Sequence, residues 1–555
     1  MPVNDHVTAP ASDGTGPIPA AGAVTAEERA ESAVPGRPRG RLRSVAGLVA
    51  AHRPFCLVLI GAALLRVVVM LGYPPAMFFN DSYNYMTDAW TKSPDAVRSD
   101  GYPLFLYLML PFHSLNLVTG LQALMGLMMG VGIYAVLRRR GLPWWGATIP
   151  ALPVLFDVFE LQLEHMVAAD LLFYTLVTLA LVLLCWWDRP PLAVAVLVGL
   201  ATGYATTVRS VGEPLLVLIV VGMLVRRMGW RRIAATAVAG LLPIVAYMAW
   251  FHSFTGHYAL DESTGTFLYS RVQSFADCDR MNPPADLRVL CDPRALADRP
   301  ISQEYLWSND TPLATLTGSN NANRFTPAVE SLTMKYAKLA IESQPLDYVK
   351  VVAEDALRPF GWTRDGINDT TSTSAGNVEG SGSKFRFEYA AEESSIEAAP
   401  GWVTTDRANA HAARAFGGAN YGQTSVVQPW SDILRTYQKV VYLRGPFLLL
   451  FLLAGAVGVI LGIRRKTRVP GTGWGGLSLL PWLVGVALLV LPAMTAGFSY
   501  RYVLAAIPPL CLAAGLAFAA RGSLITWLRE RRRAGQAARV VTHPGDEAAT
   551  RPRRG

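Results

Sequence analysis

Charge is what this chain has least of. Asp, Glu, Lys and Arg make up only 16% of its 555 residues, against 52% hydrophobic. With a mean hydropathy of +0.28, that balance excludes an ordinary water-soluble protein. Five cysteines are too few for a disulfide-rich scaffold. No nucleotide-binding glycine loop appears. The net charge of +9 is not a nucleic-acid footprint, because no basic cluster is interleaved with aromatics on a polar domain. No nucleic-acid partner is expected.

Long apolar runs fill the place of the missing charge. A hydrocarbon core about 30 Å thick takes roughly 20 apolar residues per helix. About ten stretches qualify: 46–73, 104–137, 143–158, 167–187, 191–209, 213–225, 233–252, 444–463, 474–497 and 502–520. The third and sixth are short, and the second has room for a membrane-parallel helix before its span. The expected fold is therefore an α-helical polytopic membrane protein of about ten transmembrane helices. A large extracytoplasmic loop domain is expected between the seventh and eighth.

Basic residues orient the spans. Arg37, Arg39, Arg41 and Arg43 precede the first span, and Arg138, Arg139 and Arg140 follow the second. Arg226, Arg227, Arg231 and Arg232, then Arg464, Arg465 and Lys466, and last Arg529, Arg531, Arg532 and Arg533 fall on the same side. The positive-inside rule places these clusters and both termini in the cytoplasm of a cell inner (plasma) membrane protein. The chain then divides into a disordered cytoplasmic tail (1–44), an N-terminal transmembrane module with the first outer loop (45–252) and an extracytoplasmic loop domain (253–443). C-terminal transmembrane helices (444–520) and a basic disordered tail (521–555) complete it. The tails are polar or low in complexity and lack apolar periodicity.

Cys278 and Cys291 lie in the polar 253–443 segment, where an oxidising compartment favours a disulfide. Cys56, Cys185 and Cys511 sit in apolar runs as packing residues. Residues 328–360 have helical periodicity interrupted at Pro345, which suits amphipathic helices lying on the membrane or packed on the ends of the spans. The Gly-, Ser-, Thr- and Asn-rich stretch 365–385 reads as a loop, either a lid or a plain insertion.

Ionisable groups at membrane depth are costly and mark candidate sites. Asp81 follows the first span among Phe78, Phe79, Tyr83 and Tyr85, a setting suited to a general base. Its alternative role is to cap the helix starting at Ser82. Asp88 falls seven residues later, on the same face of a helix, either as a partner for a cation or as a solvated carboxylate. Arg98, Asp100 and Tyr102 precede the second apolar run, lining a cavity mouth or forming a turn. Glu160, Glu164, His165 and Asp170 cluster between the third and fourth runs, where Glu164, His165 and Asp170 would hold a divalent cation or orient an acceptor, or would simply be solvated at the interface. Arg209 and Arg501 stand at outer span boundaries, suited to a lipid phosphate or to snorkelling toward headgroups. Arg66, inside the first run, either pairs with a carboxylate of another helix or snorkels.

These motifs resemble, in order and topology, the GT-C class of integral-membrane glycosyltransferases, including the bacterial protein-mannosyltransferase-like members. The resemblance rests on Asn80-Asp81-Ser82-Tyr83, Gly101-Tyr102-Pro103-Leu104, Ala168-Ala169-Asp170-Leu171-Leu172-Phe173 and Tyr500-Arg501-Tyr502 followed by Pro508. It extends to Ala337 through Leu357, similar to the helical linker before the late spans. Many members carry two adjacent acids in the first outer loop, whereas here Ser82 follows Asp81.

The resemblance implies an inverting glycosyltransferase. Its donor would be a polyprenyl-phosphate-linked sugar, and its acceptor an extracytoplasmic glycan, lipid or protein. Asp81 would be the general base. Arg98, Tyr102, His165, Asp170, Arg209, Tyr500, Arg501 and Tyr502 would bind substrate. Asp81, Glu164 and Asp170 would be the ligands if a divalent cation (Mg or Mn) takes part. Membrane lipid would surround the chain and hold the prenyl tail. A transporter or flippase of a lipid-linked saccharide and a non-catalytic envelope-assembly scaffold are the competing readings. No internal repeat supports the first, and the suspect charges gather at the outer boundary.

Overall fold

The computed structural model describes residues 52–318, 320–362, 389, 407–417, 424–464 and 476–519. The chain separates into the units Met1–Arg53 and Pro54–Gly555, and the described residues lie in the second apart from His52 and Arg53. The tails expected at 1–44 and 521–555 and the loop expected at 365–385 fall outside the described residues.

Each of the ten apolar stretches is mostly helical over its described part, with breaks such as that at His113 and Ser114. Among the described residues six helices are long and apolar enough to cross a membrane: Arg53–Gly72, Leu115–Arg139, Ala169–Trp186, Trp230–Thr255, Gly445–Ile463 and Tyr500–Ala517. The bent pair Trp144–Phe156 and Val158–Glu164 makes a seventh if it is one span. Gly101–Phe112, Leu192–Val208, Ser210–Val225 and Leu479–Thr495 are apolar but shorter. This is a helical membrane protein. A separate short apolar helix, Gly101–Phe112, precedes the Leu115–Arg139 span.

The first span shows why lipid is needed. Leu57, Ile60, Leu64, Val67 and Leu71 are exposed, and their spacing of three and four residues puts them on one helical face. Water would penalise such a stripe, whereas hydrocarbon does not. Phe55, Ala62, Arg66 and Val69 on the other side are buried.

Two details set the positions of later residues. The 55° bend falls at Asp157, which caps Val158–Glu164 by accepting from the Phe159 N–H at 2.8 Å. Its other carboxylate oxygen accepts from the Leu443 N–H at 2.5 Å, tying the bend to the start of the Gly445–Ile463 span. Gly101 packs so tightly that a β-carbon there would lie 2.5 Å from the Thr207 carbonyl carbon. This fixes the loop carrying Arg98 beside the segment carrying Arg209.

The first part of the polar 253–443 segment, 264–357, is made of short helices around its own apolar cluster, which includes Tyr269, Phe275, Leu290, Tyr305 and Tyr336. Tyr389, Ala412, Phe416 and Leu434 instead pack into the core of the apolar helices. Cys278 and Cys291 form the expected disulfide. Pro327–Ser343 and Pro345–Leu357 are separate helices meeting at Gln344, as the interruption at Pro345 predicts. Arg271 joins this segment to the Leu479–Thr495 helix by donating to the Ala493 carbonyl at 2.8 Å. Its guanidinium also pairs with Asp355 at 3.0 Å.

Candidate active site

The loop after the first span is stitched to the turn before Ala169–Trp186. The Met77 N–H donates to the His165 carbonyl at 2.8 Å, and the Val167 N–H donates to the Met77 carbonyl at 3.0 Å. Ser82 closes the stitch. Its hydroxyl accepts from the Phe79 N–H at 2.8 Å and donates to the Val167 carbonyl at 2.6 Å. Asp81 therefore sits in the first turn of Asn80–Thr91, where the helix dipole favours a carboxylate. Asp170 sits in the first turn of Ala169–Trp186, and the stitch brings the two helix starts together.

Three arginines meet these two carboxylates. Arg98 Nη2 lies 2.8 Å from Asp81 Oδ1, and Arg501 Nη1 lies 3.2 Å from Asp81 Oδ2. Arg501 Nε reaches Asp170 Oδ2 at 3.5 Å, and Arg209 Nη1 holds Asp170 Oδ1. Arg501 also lies over the Phe79 ring, 4.6 Å from its centroid, and Arg209 lies over Tyr502 at 5.0 Å. Asp81 is only 7% exposed and Asp170 4%. Burial raises the Asp81 carboxyl, but the Arg98 and Arg501 guanidiniums outweigh it and hold the group below the usual carboxylate range.

A small, mostly apolar cleft, about 10 Å³ inside, borders this cluster. Phe159, Gln162, Leu163, Met166, Tyr500 and Leu504 line it, and Arg501 is its charged end. Tyr502 faces a second hollow of about 10 Å³, shared with Asp355 and Phe498. On the other side of Asp81, Arg98 is 20% exposed and also reaches Asp95 at 3.5 Å.

The remaining expected residues have other duties. Tyr102 is fully buried and donates to Gln122 at 2.7 Å. Gln122 in turn donates to the Glu164 and Met166 carbonyls, each at 2.8 Å. The His165 ring is 2.8 Å from the Tyr73 carbonyl. Both side chains brace the stitch rather than face the carboxylates. Glu164 pairs with Arg66 at 2.6 Å, which resolves the alternatives for Arg66 in favour of a carboxylate on another helix. Glu160 is fully buried and accepts from Tyr174, so it is not an interfacial, solvated acid.

Asp88 is only partly exposed and is not a companion of Asp81. Burial, with Asp100 and Asp95 nearby, pushes its carboxyl up to about 9. Asp100 is raised as well, first by burial and then by Asp95, and it accepts from Tyr247 at 3.0 Å.

Asp81, Glu164 and Asp170 do not converge as a ligand set. Glu164 is committed to Arg66, and Arg501 occupies the space between the two aspartates. Among the described residues no group of three His, Cys, Asp or Glu side chains is placed to hold a metal.

Sequence reading missed Asp95 and Trp307. Asp95 carries the signal of an acid three residues before Arg98. Trp307, 6.0 Å from the Arg98 guanidinium, comes from a distant segment and has none. Comparison of the chain with protein-family models, curated proteins and solved structures finds no match.

Proposed function

We propose that the chain is an inverting glycosyltransferase that moves a sugar from a polyprenyl-phosphate donor to an extracytoplasmic acceptor. One observation carries this reading. Two carboxylates, Asp81 and Asp170, meet two arginines suited to phosphate, Arg209 and Arg501, and Arg501 also borders the apolar cleft. The apolar residues beside Arg501 suit contact with the first carbons of a prenyl chain, and the arginines suit the phosphate at its head. Arg501 lies 3.2 and 3.5 Å from the two carboxylates, and it would turn from Asp81 to bind that phosphate.

In this reaction an acceptor hydroxyl oxygen attacks the anomeric carbon as Asp81 takes its proton. The bond from that carbon to the phosphate oxygen breaks, and the electron pair leaves on the prenyl phosphate. Arg209 and Arg501 stabilise the developing charge. Displacement from the opposite face inverts the anomeric centre. Asp81 begins as a weak base, because two guanidiniums offset its charge. Arg501 turning to the phosphate restores its basicity.

The same proposal includes about ten spans with both termini cytoplasmic and the 253–443 domain and active site extracytoplasmic, in the cell inner membrane. The bent pair and the shorter helices Leu192–Val208, Ser210–Val225 and Leu479–Thr495 would supply the four additional crossings. The test is mass spectrometry of lipid copurifying with wild type and Asp81→Asn. A polyprenyl phosphate in both, with its glycosylated form enriched in the variant, supports the reading. Ordinary phospholipid alone in both counts against it, and a polyprenyl diphosphate carrying several sugars favours the flippase.

A further inference from the structure

The two oxygens of Asp81 face different surroundings. Oδ2 meets Arg501 at the end of the apolar cleft, whereas Oδ1 meets Arg98, which is partly exposed and borders the polar 253–443 domain. A lipid-linked donor entering by the cleft leaves the Arg98 side for the acceptor. This inference therefore rests on the proposed function.

The polar domain contributes Trp307 to that side. Its indole centroid is 6.0 Å from the Arg98 guanidinium carbon, at the outer limit of a cation–π contact. The two groups thus lie side by side rather than stack tightly. Trp307 is only half-buried, yet its position is firmly set. It ends the short helix Glu304–Trp307, whose Tyr305 and Leu306 are fully buried. Arg324, also fully buried, donates to the Leu306 carbonyl at 2.6 Å and to Asn309 Oδ1 at 2.8 Å. Phe325 packs against the indole at 5.5 Å. The Arg98 loop is tied to the same domain, because the Glu262 N–H donates to the Ala96 carbonyl at 2.7 Å.

A buried guanidinium that fixes a half-open tryptophan is an expensive arrangement for packing alone. Its chemistry fits one acceptor class. The apolar face of a sugar ring lies well on an indole, and its hydroxyls bond to guanidinium and carboxylate groups such as Arg98 and Asp95. An acyl chain would offer these charged groups no hydrogen bond.

We propose that Trp307 and Arg98 form an acceptor subsite for a carbohydrate, which presents its hydroxyl to Asp81 from the side opposite the lipid cleft. The acceptor is then a glycan rather than a protein side chain or a lipid.

The test uses the full-length protein in mild detergent on an array of immobilised bacterial envelope oligosaccharides. Wild type, Trp307→Ala, Trp307→Phe and, as a control at an exposed position, Leu346→Ala are compared, with a peptide array run alongside. The proposal expects wild type to hold at least one oligosaccharide. Trp307→Ala should weaken that binding at least tenfold, Trp307→Phe should keep most of it, and Leu346→Ala should leave it unchanged. Equal binding by Trp307→Ala, or binding to peptides and no oligosaccharide, overturns the subsite, as does the absence of any binding. Oligosaccharide binding that depends on Trp307, in a protein that copurifies with no prenyl phosphate, retains the glycan site and removes the transferase reading.

Discussion

The Ser82 hydroxyl donates to the Val167 carbonyl at 2.6 Å while accepting from the Phe79 N–H. This one side chain holds the helix start carrying Asp81 against the helix start carrying Asp170. Ser82→Ala removes both hydrogen bonds, each contributing about 0.5–1.5 kcal/mol. The variant should fold and reach the membrane, but the two aspartates should lose their registration. Sugar transfer should fall roughly 5- to 30-fold, while the thermal midpoint drops only a few degrees. Unchanged transfer would show that the stitch does not position the site.

Asp81 and Asp88 should respond to pH in opposite directions. The folded Asp81 carboxyl lies below its ordinary value, so its stabilising contribution is present above about pH 4 and is lost as pH falls through the folded value. The Asp88 carboxyl lies above its ordinary value, at about 9. Its unfolded form releases a proton from about pH 4, so stability falls as pH rises toward 9. Asp88→Asn should therefore raise the thermal midpoint at pH 7 to 8 and change it little at pH 4. Asp81→Asn should lower it at pH 7, since Arg98 and Arg501 lose their partner. A denaturation series in pH checks both signs.

Arg501→Lys keeps the charge but loses the planar fork that reaches Asp81, Asp170 and the cleft at once. Donor affinity should fall about 10- to 100-fold, the loss of a charge-assisted hydrogen-bond set worth about 1.5–3 kcal/mol. Acceptor affinity should hold. A lysine variant with wild-type donor affinity would place the phosphate elsewhere.

The Cys278–Cys291 disulfide closes a short loop in the polar domain. In the chain-entropy view such a closure contributes about 3 kcal/mol. Cys278→Ser should lower the midpoint of that domain's unfolding, as should a reductant on wild type, with no further effect of the reductant on the variant. Additivity of the two would contradict the disulfide's role.

Much of this was legible in the chain. The apolar runs gave the helices because burial or lipid contact dominates their energetics, and Asp81, Arg209 and Arg501 stood out because charge at a membrane boundary is costly. Tyr102, His165 and Glu164 looked equally suited to chemistry, yet they act as struts or as a buried pair. Residue type and spacing do not reveal which backbone carbonyl or guanidinium a polar side chain will meet. Glu164 met Arg66 because two helices distant in sequence pack together. Trp307 was invisible for the same reason, since only tertiary folding sets it beside Arg98. Crossing number was read by length alone, and the short helices and the bend at Asp157 show how packing breaks that rule.

The most direct test is transfer of radiolabelled sugar from a synthetic polyprenyl-phosphate sugar by full-length protein in lipid, wild type against Asp81→Asn. The assay should use a panel of donor sugars and envelope acceptors. The account predicts transfer with inversion by wild type, a loss of at least a hundredfold in the variant, and equal donor binding by both. Transfer by Asp81→Asn at the wild-type rate, or no transfer by wild type from any donor that it binds, would contradict it.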